Sequence, residues 1–499
     1  MISKKNEILL NQEERNIRKI KLNNIQKKGF NFPNNFKINN TIEILCKKYN
    51  HLNIQDLKKK DININIAGRI INKRVMGKAS FITLQEKYYT IQVYVKEDNL
   101  PILFYKNEFK KWDIGDIIGV IGCLFKTKTN ELSIRSTKLI LLTKSIRSLP
   151  DKFHGLINKE IRYRQRYLDL ICNKNQFKIF IQRSNIINCI REYMIKKNFL
   201  EVETPMLQNI PGGASAKPFS TYHNSLNNSM YLRISPELYL KKLIIGGFTR
   251  IFEINRSFRN EGISYRHNPE FTMMEIYQSY TTYKDMMILI EKIFKKITKK
   301  IFGSFEIKCG NNTINFNKKF TILTIKESIV KFNSSIDLES LNNLKKIKKI
   351  AKLNKIKIKK KWEIERIQLE IFEKITEKKI LQPTFIIEYP VSQSPLARRN
   401  ELNKKLTDRF ELFINGLEIA NGFSELNDYQ DQKKRFQKQI AQKKNKYTDI
   451  MYDKEYIKAL EYGLPPTSGL GIGIDRIVMI LTNSINIRDV ILFPTLKNK

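Results

Sequence analysis

The segments RIFEINRSFR (250–259) and EFTMMEIYQ (270–278) both alternate apolar and polar side chains, and they are joined by a charged loop. Side chains on a strand point to opposite faces in turn. Phe252, Ile254 and Phe258 therefore share one face, and Glu253, Ser257 and Arg259 the other. In the second run Met274 and Ile276 fall on one face, with Phe271, Met273, Glu275 and Tyr277 opposite. Such a pair demands a sheet that is packed on one side and lined by charge on the other. Gly262 and Pro269 mark the loop between the strands. Ion pairs on a wetted face contribute only about 0–1 kcal/mol, so mutual pairing explains this pattern poorly. A ligand carrying both phosphate and ammonium explains it better. Arginine offers phosphate a planar fork, glutamate answers an amine, and phenylalanine offers a purine a flat face.

The chain has 499 residues, 41% hydrophobic, enough for two or three domains with real cores. Its formal charge of +42 suits a polyanionic partner through counterion release, although Lys, Asn and Ile are used heavily throughout. The five cysteines (46, 123, 172, 189 and 309) show no CxxC and no metal spacing, as expected of thiols in a reducing cytosol. The N-terminus is charged from the start, and no run approaches the ~18 apolar residues of a membrane span. These features predict a cytoplasmic protein with no membrane association.

Along the chain, residues 1–60 read as a helical extension that begins with an amphipathic helix. Five short alternating runs at 61–145 predict a small five-stranded barrel. SIRSLPDKFHG (145–155) reads as a linker, within a connecting region at 146–176. Residues 177–499 mix helices and strands, as in an α+β domain. A helix is expected at 177–197, followed by a strand in FLEVETPML. A Lys-rich helical insertion lies at about 335–382, most simply a solvated face.

Three further stretches carry chemistry. GLGIGIDRIVMIL (469–481) places three side-chain-free glycines before a helix that is apolar on one side. Arg476 then falls in the first helical turn, where backbone N–H groups also favour phosphate. Taken without the other motifs, a tight strand-to-helix crossing also explains the glycines. In RFELFINGLEIANGFSEL (409–426), Asn415-Gly416 is a strong hairpin turn that sets 413 opposite 418 and 411 opposite 420. Glu411 and Glu418 then lie diagonally on one face, where two carboxylates suit Mg2+. Strict alternation sends Asn421, Phe423 and Glu425 to the other face unless a bulge intervenes near Asn421-Gly422. Ser235-Pro236-Glu237 reads as a helix start. MGKAS (76–80) is not a phosphate loop, since Asn72 stands where the first glycine belongs.

FRNEGISYRHNPEFTMMEIY resembles motif 2 of class II aminoacyl-tRNA synthetases, in the form found in the lysyl enzymes. KKNFLEVETPML (196–207) resembles motif 1, with Pro205 at the motif's proline and Asn198 where a glycine is usual. GLGIGIDR resembles motif 3. YRQRYLDL, PGGASAKPF, SPLARRN and NGFSELND resemble stretches of lysyl enzymes (subclass IIb). The resemblance implies an OB-fold barrel that reads an anticodon, followed by a catalytic domain on a mixed, mainly antiparallel sheet. It implies ligation of L-lysine to tRNA(Lys) through a lysyl-adenylate, with ATP as substrate, Mg2+ as cofactor and a homodimer as the working form.

The resemblance also implies roles for single residues. Arg259 bridges the lysine carboxylate and the α-phosphate, Arg476 and His267 lie at the terminal phosphate, and Phe271 and Glu261 meet adenine. Glu425, Glu275 and Tyr277 hold the ε-ammonium, Gly213 and Glu237 the α-amino group, and Asn421 the carboxylate, with Phe423 among the lysine-binding residues. Glu411 and Glu418 hold magnesium, and Arg74, Phe81, Gln92 and Glu131 meet the anticodon. Rival readings are an aspartyl or asparaginyl ligase, a relative that modifies a protein lysine, and an inactive RNA-binding paralogue. Glu425 and YRQRYLDL argue against the first, the barrel against the second, and the intact Arg259, Glu261, Glu411, Glu418 and Arg476 against the third.

Overall fold

Alternation closes the barrel. The strands Asn63–Met76, Ala79–Glu86, Tyr89–Lys96, Ile117–Lys126 and Leu132–Thr143 turn Ile64, Ile66, Ile82, Leu84, Val93, Val120 and Ile134 inward. The third strand pairs in parallel with the fifth, which completes the ring and leaves no free edge. MGKAS is a hairpin tip, with Gly77 in the left-handed region and Met76 paired to Ala79. The helix Ile2–Gln26 is joined to this unit by Arg18, which donates to the Ile114 carbonyl at 2.9 Å, and by the Lys21–Asp113 pair at 2.6 Å.

The computed structural model describes residues 2–150, 158–214, 216–360, 362–442 and 453–497. Part of the expected linker, at 151–155, and Ser215 of PGGASAKPF lie outside the described residues. The chain divides into two units, 1–178 and 179–499.

The second unit is built on an eight-stranded sheet. Its six central strands, Thr384–Ile387, Arg409–Ile414, Leu417–Ser424, Thr467–Gly473, Glu270–Ser279 and Arg250–Phe258, are antiparallel neighbours in that order. A parallel strand flanks each end, Thr321–Thr324 on one side and Leu200–Glu201 on the other. One face buries Phe252, Met274, Ile276, Leu412 and Ile472 against the helices Lys174–Lys196, Tyr283–Ile297 and Ile474–Leu481. The strand expected in FLEVETPML is cut short at Glu201, and the chain pairs again only at Leu207–Gln208, in another sheet. Pro205, which has no N–H to offer a ladder, lies in the break. Asn198 holds φ +61°, the left-handed turn for which glycine is usual and asparagine the best substitute.

The insertion buries Ile347, Ala351, Ile367, Ile371 and Phe372 in one cluster with Ile329 and with Ile386 and Phe413 of the sheet. Lys345, Lys346, Lys348 and Lys349 of the helix Leu344–Leu353 are exposed, the solvated face expected of it.

Candidate active site

Register assembles the site. On the sheet face away from the large core, Glu253, Glu275, Gly471, Asn421 and Glu411 stand opposite one another across five strands. The next row runs Ile251, Tyr277, Gly469, Phe423 and Arg409. The bare glycines leave space above the sheet, and a cavity of about 300 Å³ opens there. A Cβ on Gly469 would lie 2.2 Å from Glu425 Oε1, so this position admits only glycine without rearrangement. Gly213, at φ +84°, brings its loop to the wall beside Ser235 and Glu237.

The hairpin differs from expectation in one residue. Asn415 and Gly416 both have positive φ, and 413 does pair with 418. Ile419 is then extra, so 412 pairs with 420 and Glu411 faces Asn421 instead of 420. The bulge therefore exists, but at Ile419 and not at Asn421-Gly422. It is what turns Asn421 and Phe423 onto the cavity face.

One end of the cavity is cationic. Arg259 follows the strand Arg250–Phe258, its backbone N–H donates to Pro269, and its guanidinium lies over Phe271, 5.1 Å from the ring centre. Its Nε is buried without a hydrogen-bond partner, and burial lowers its pKa. Arg476 donates to the Glu418 carbonyl at 2.5 Å and the Glu418 carboxylate at 3.2 Å, and contacts His267 at 3.5 Å. Loss of water around the His267 ring, then the Arg476 charge, lower the imidazole's pKa. Glu261 also lines this end.

The other end is acidic and buried. Glu237 begins the helix Glu237–Ile245, as its Ser-Pro lead predicts. Ser235 donates to Glu275 at 2.6 Å, and Tyr277 donates to the same carboxylate at 2.9 Å. Burial pushes Glu275 up to about 7 and Glu425 up to about 8. Glu425 is not in the cavity wall itself. It is buried against Gly469, a wall residue, while Oε2 meets Lys241 at 2.5 Å.

Twelve of the expected residues line the cavity: Gly213, Glu237, Arg259, Glu261, His267, Phe271, Glu275, Tyr277, Glu418, Asn421, Phe423 and Arg476. Glu411, like Glu425, lies outside the wall and contacts Tyr389 and Arg409. Ser235, Arg266 and Met273 also line it and were not anticipated. Met273 was legible by parity with Glu275, and Ser235 by its place before Glu237. Arg266, held to Glu377 at 3.5 Å, carried no signal beyond its charge.

In the barrel, Arg74 pairs with Phe81 across two strands, and Gln92 donates to Glu131 at 3.2 Å. Tyr94 and Phe125, also unanticipated, extend the aromatic face, with Phe81–Tyr94 ring centres 5.0 Å apart and Arg135 over Phe125. Tyr94 follows Gln92 at the same parity, a signal the sequence did contain.

The sequence model of the family described as tRNA synthetases class II (D, K and N) matches residues 158–497, and that of the OB-fold nucleic acid binding domain matches 64–142. The chain is 61% identical over 490 residues to lysine–tRNA ligase of Buchnera aphidicola subsp. Schizaphis graminum (strain Sg), covering 98% of this chain and 97% of the relative. It is 56% identical over 491 residues to lysine–tRNA ligase of Baumannia cicadellinicola subsp. Homalodisca coagulata, covering 98% and 97%. Identity to the heat-inducible lysine–tRNA ligase of Escherichia coli (strain K12) is 52% over 488 residues, covering 98% and 96%. A cavity joining guanidiniums to buried carboxylates, in a chain that also carries a closed OB-fold barrel, thus comes with full-length likeness to such ligases, and the chain belongs to the class II tRNA synthetases of the D, K and N group, in the lysine–tRNA ligase family.

Proposed function

We propose that the protein joins L-lysine to tRNA(Lys) at the expense of ATP, by way of lysyl-adenylate. The observation that carries this reading is a single cavity with arginines at one end and buried glutamates at the other. Arg259 holds the lysine carboxylate against the α-phosphate and stabilises the charge that develops between them. Arg476 and His267 take the terminal phosphate, while Phe271 and Glu261 take adenine. Glu425, Glu275 and Tyr277 receive the ε-ammonium, Gly213 and Glu237 the α-amino group, and Asn421 the carboxylate, with Phe423 packing on the stem. The lysyl group then passes to the 3′-OH of the terminal adenosine.

Glu411 and Glu418 fit a magnesium ion. Burial pushes Glu411 up to about 7, and the Glu418 charge adds to this against the pull of Arg409, while Arg476 meets the Glu418 carboxylate at 3.2 Å. Among the described residues no three-ligand cluster occurs, but two carboxylates with phosphate oxygens suffice for this metal. When bound, it neutralises phosphate charge. The aromatic face of Phe81, with Arg74, Gln92 and Glu131, supports anticodon stacking and contact. Exposed Ile195, Leu200 and Leu207 around motif 1 support a homodimer. No helix among the described residues is long and apolar enough to cross a membrane, in keeping with work in the cytoplasm.

The test is amino-acid-dependent ATP–pyrophosphate exchange by purified protein, followed by tRNA charging. Lysine supports exchange, while aspartate and asparagine do not. Exchange with either of the latter in preference to lysine refutes the reading.

A further inference from the structure

One buried charge has no part in the chemistry above. Lys241 has 0% exposure, a place lysine almost never occupies without partners. Its Nζ lies 2.6 Å from Glu237 Oε1 and 2.5 Å from Glu425 Oε2, and it sits over the rings of Phe423 and Tyr456. A spacing of four along the helix sets Lys241 beside Glu237. One ammonium thereby ties together the two carboxylates assigned to opposite ends of the amino acid. Neither Glu425 oxygen has a hydrogen-bond partner; Oε2 has the Lys241 ammonium at 2.5 Å, and Oε1 is buried with no cation recorded against it. A lysine serving only the fold gives no reason to keep that oxygen open.

Counting charge gives the rest. Glu237, Glu275 and Glu425 carry three negative charges when ionised, and Lys241 cancels one. The neighbouring Arg233–Glu253 pair, at 2.7 Å, cancels itself. Two negative charges remain, and L-lysine brings two ammonium groups while its carboxylate goes to Arg259.

We propose that Lys241 is a positioning residue that sets the charge of the amine end, so that an amino acid with two ammonium groups neutralises it. This rests on the lysine reading above. The groups facing Glu425 are Lys241 and Glu237 on one helix, Glu275 and Tyr277 on the sheet, and Tyr456 on the helix Lys454–Glu461. Lys241 is the one cation among them and pulls the Glu425 pKa down against burial. Its removal therefore leaves Glu425 protonated to higher pH and less able to take the ε-ammonium.

The test is lysine-dependent pyrophosphate exchange as a function of pH for wild type, Lys241→Met, Lys241→Gln and Lys241→Arg, with thermal melting as the check of folding. In both neutral variants KM for lysine rises at least about tenfold, while kcat and KM for ATP change little. The rising limb of kcat/KM for lysine moves up by about one pH unit or more. Lys241→Arg keeps the limb at the wild-type pH with a smaller rise in KM. Neutral variants with unmoved limb and KM overturn the proposal, as does a uniform loss of kcat and both KM values without a shift of the limb. Should neither neutral variant fold, Lys241→Arg decides, since a limb displaced upward with the charge retained also overturns it. Wild type without lysine-dependent exchange defeats the lysine reading instead, a separate failure.

Discussion

The two ends of the cavity use charge in opposite ways. At the amine end Glu237, Glu275 and Glu425 are 7%, 4% and 2% exposed, and burial raises the pKa of the last two. At the phosphate end Arg259 and Arg476 are half-buried, and Glu261 and His267 are exposed. A desolvated carboxylate is costly until its charge is balanced, so on the proposed reading the deep end selects its ligand. A partly wetted cluster of cations admits a large polyanion and acts on the charge formed during reaction. On the proposed reading, depth thus separates selection from catalysis along one sheet.

The largest effect expected on this division is that of Arg259→Ala, which lowers kcat for pyrophosphate exchange about 10²–10³-fold. A fully active variant removes that arginine from the mechanism. Glu425→Gln raises KM for lysine on the order of 10²-fold and leaves KM for ATP in place. Equal rises in both constants erase the distinction between the ends. Gly469→Ala, whose Cβ would collide with Glu425 Oε1, raises KM for lysine about tenfold and lowers Tm, because overpacking costs about 1–3 kcal/mol. An unchanged KM there means that the two groups are free to move apart.

The smallest effect is on stability against pH. Glu275 and Glu425 ionise near 4.5 when unfolded but at about 7 and about 8 in the fold. Raised values favour the neutral form, so their contribution is complete below about 4.5 and is lost as pH climbs through 7 and 8. Lysine supplies the missing cations, so its increment in Tm grows by a few degrees between about pH 6 and pH 8.5. A constant increment contradicts the raised carboxylates.

Much of this was legible from alternation alone. The parity of 250–259 and 270–278 put Arg259, Phe271, Glu275 and Tyr277 on one face, and they share it. The glycine run before Arg476 was legible as backbone stripped of side chains. The position of the bulge was not, because Ile419 carries no local mark and the glycine at 422 pointed elsewhere. Nor did sequence show that Glu425 would be paired with Lys241. That contact joins a helix and a strand end far apart in the chain, and only the Glu237–Lys241 half of it is written in helical spacing.

The most direct measurement compares L-lysine with L-norleucine, which lacks only the ε-amine, in pyrophosphate exchange by the wild-type protein. Norleucine should fail as substrate and compete with lysine on the order of 10⁴-fold more weakly, since it leaves one of the buried negative charges unbalanced. Competition within about tenfold of lysine would contradict an acidic end that demands an ammonium group.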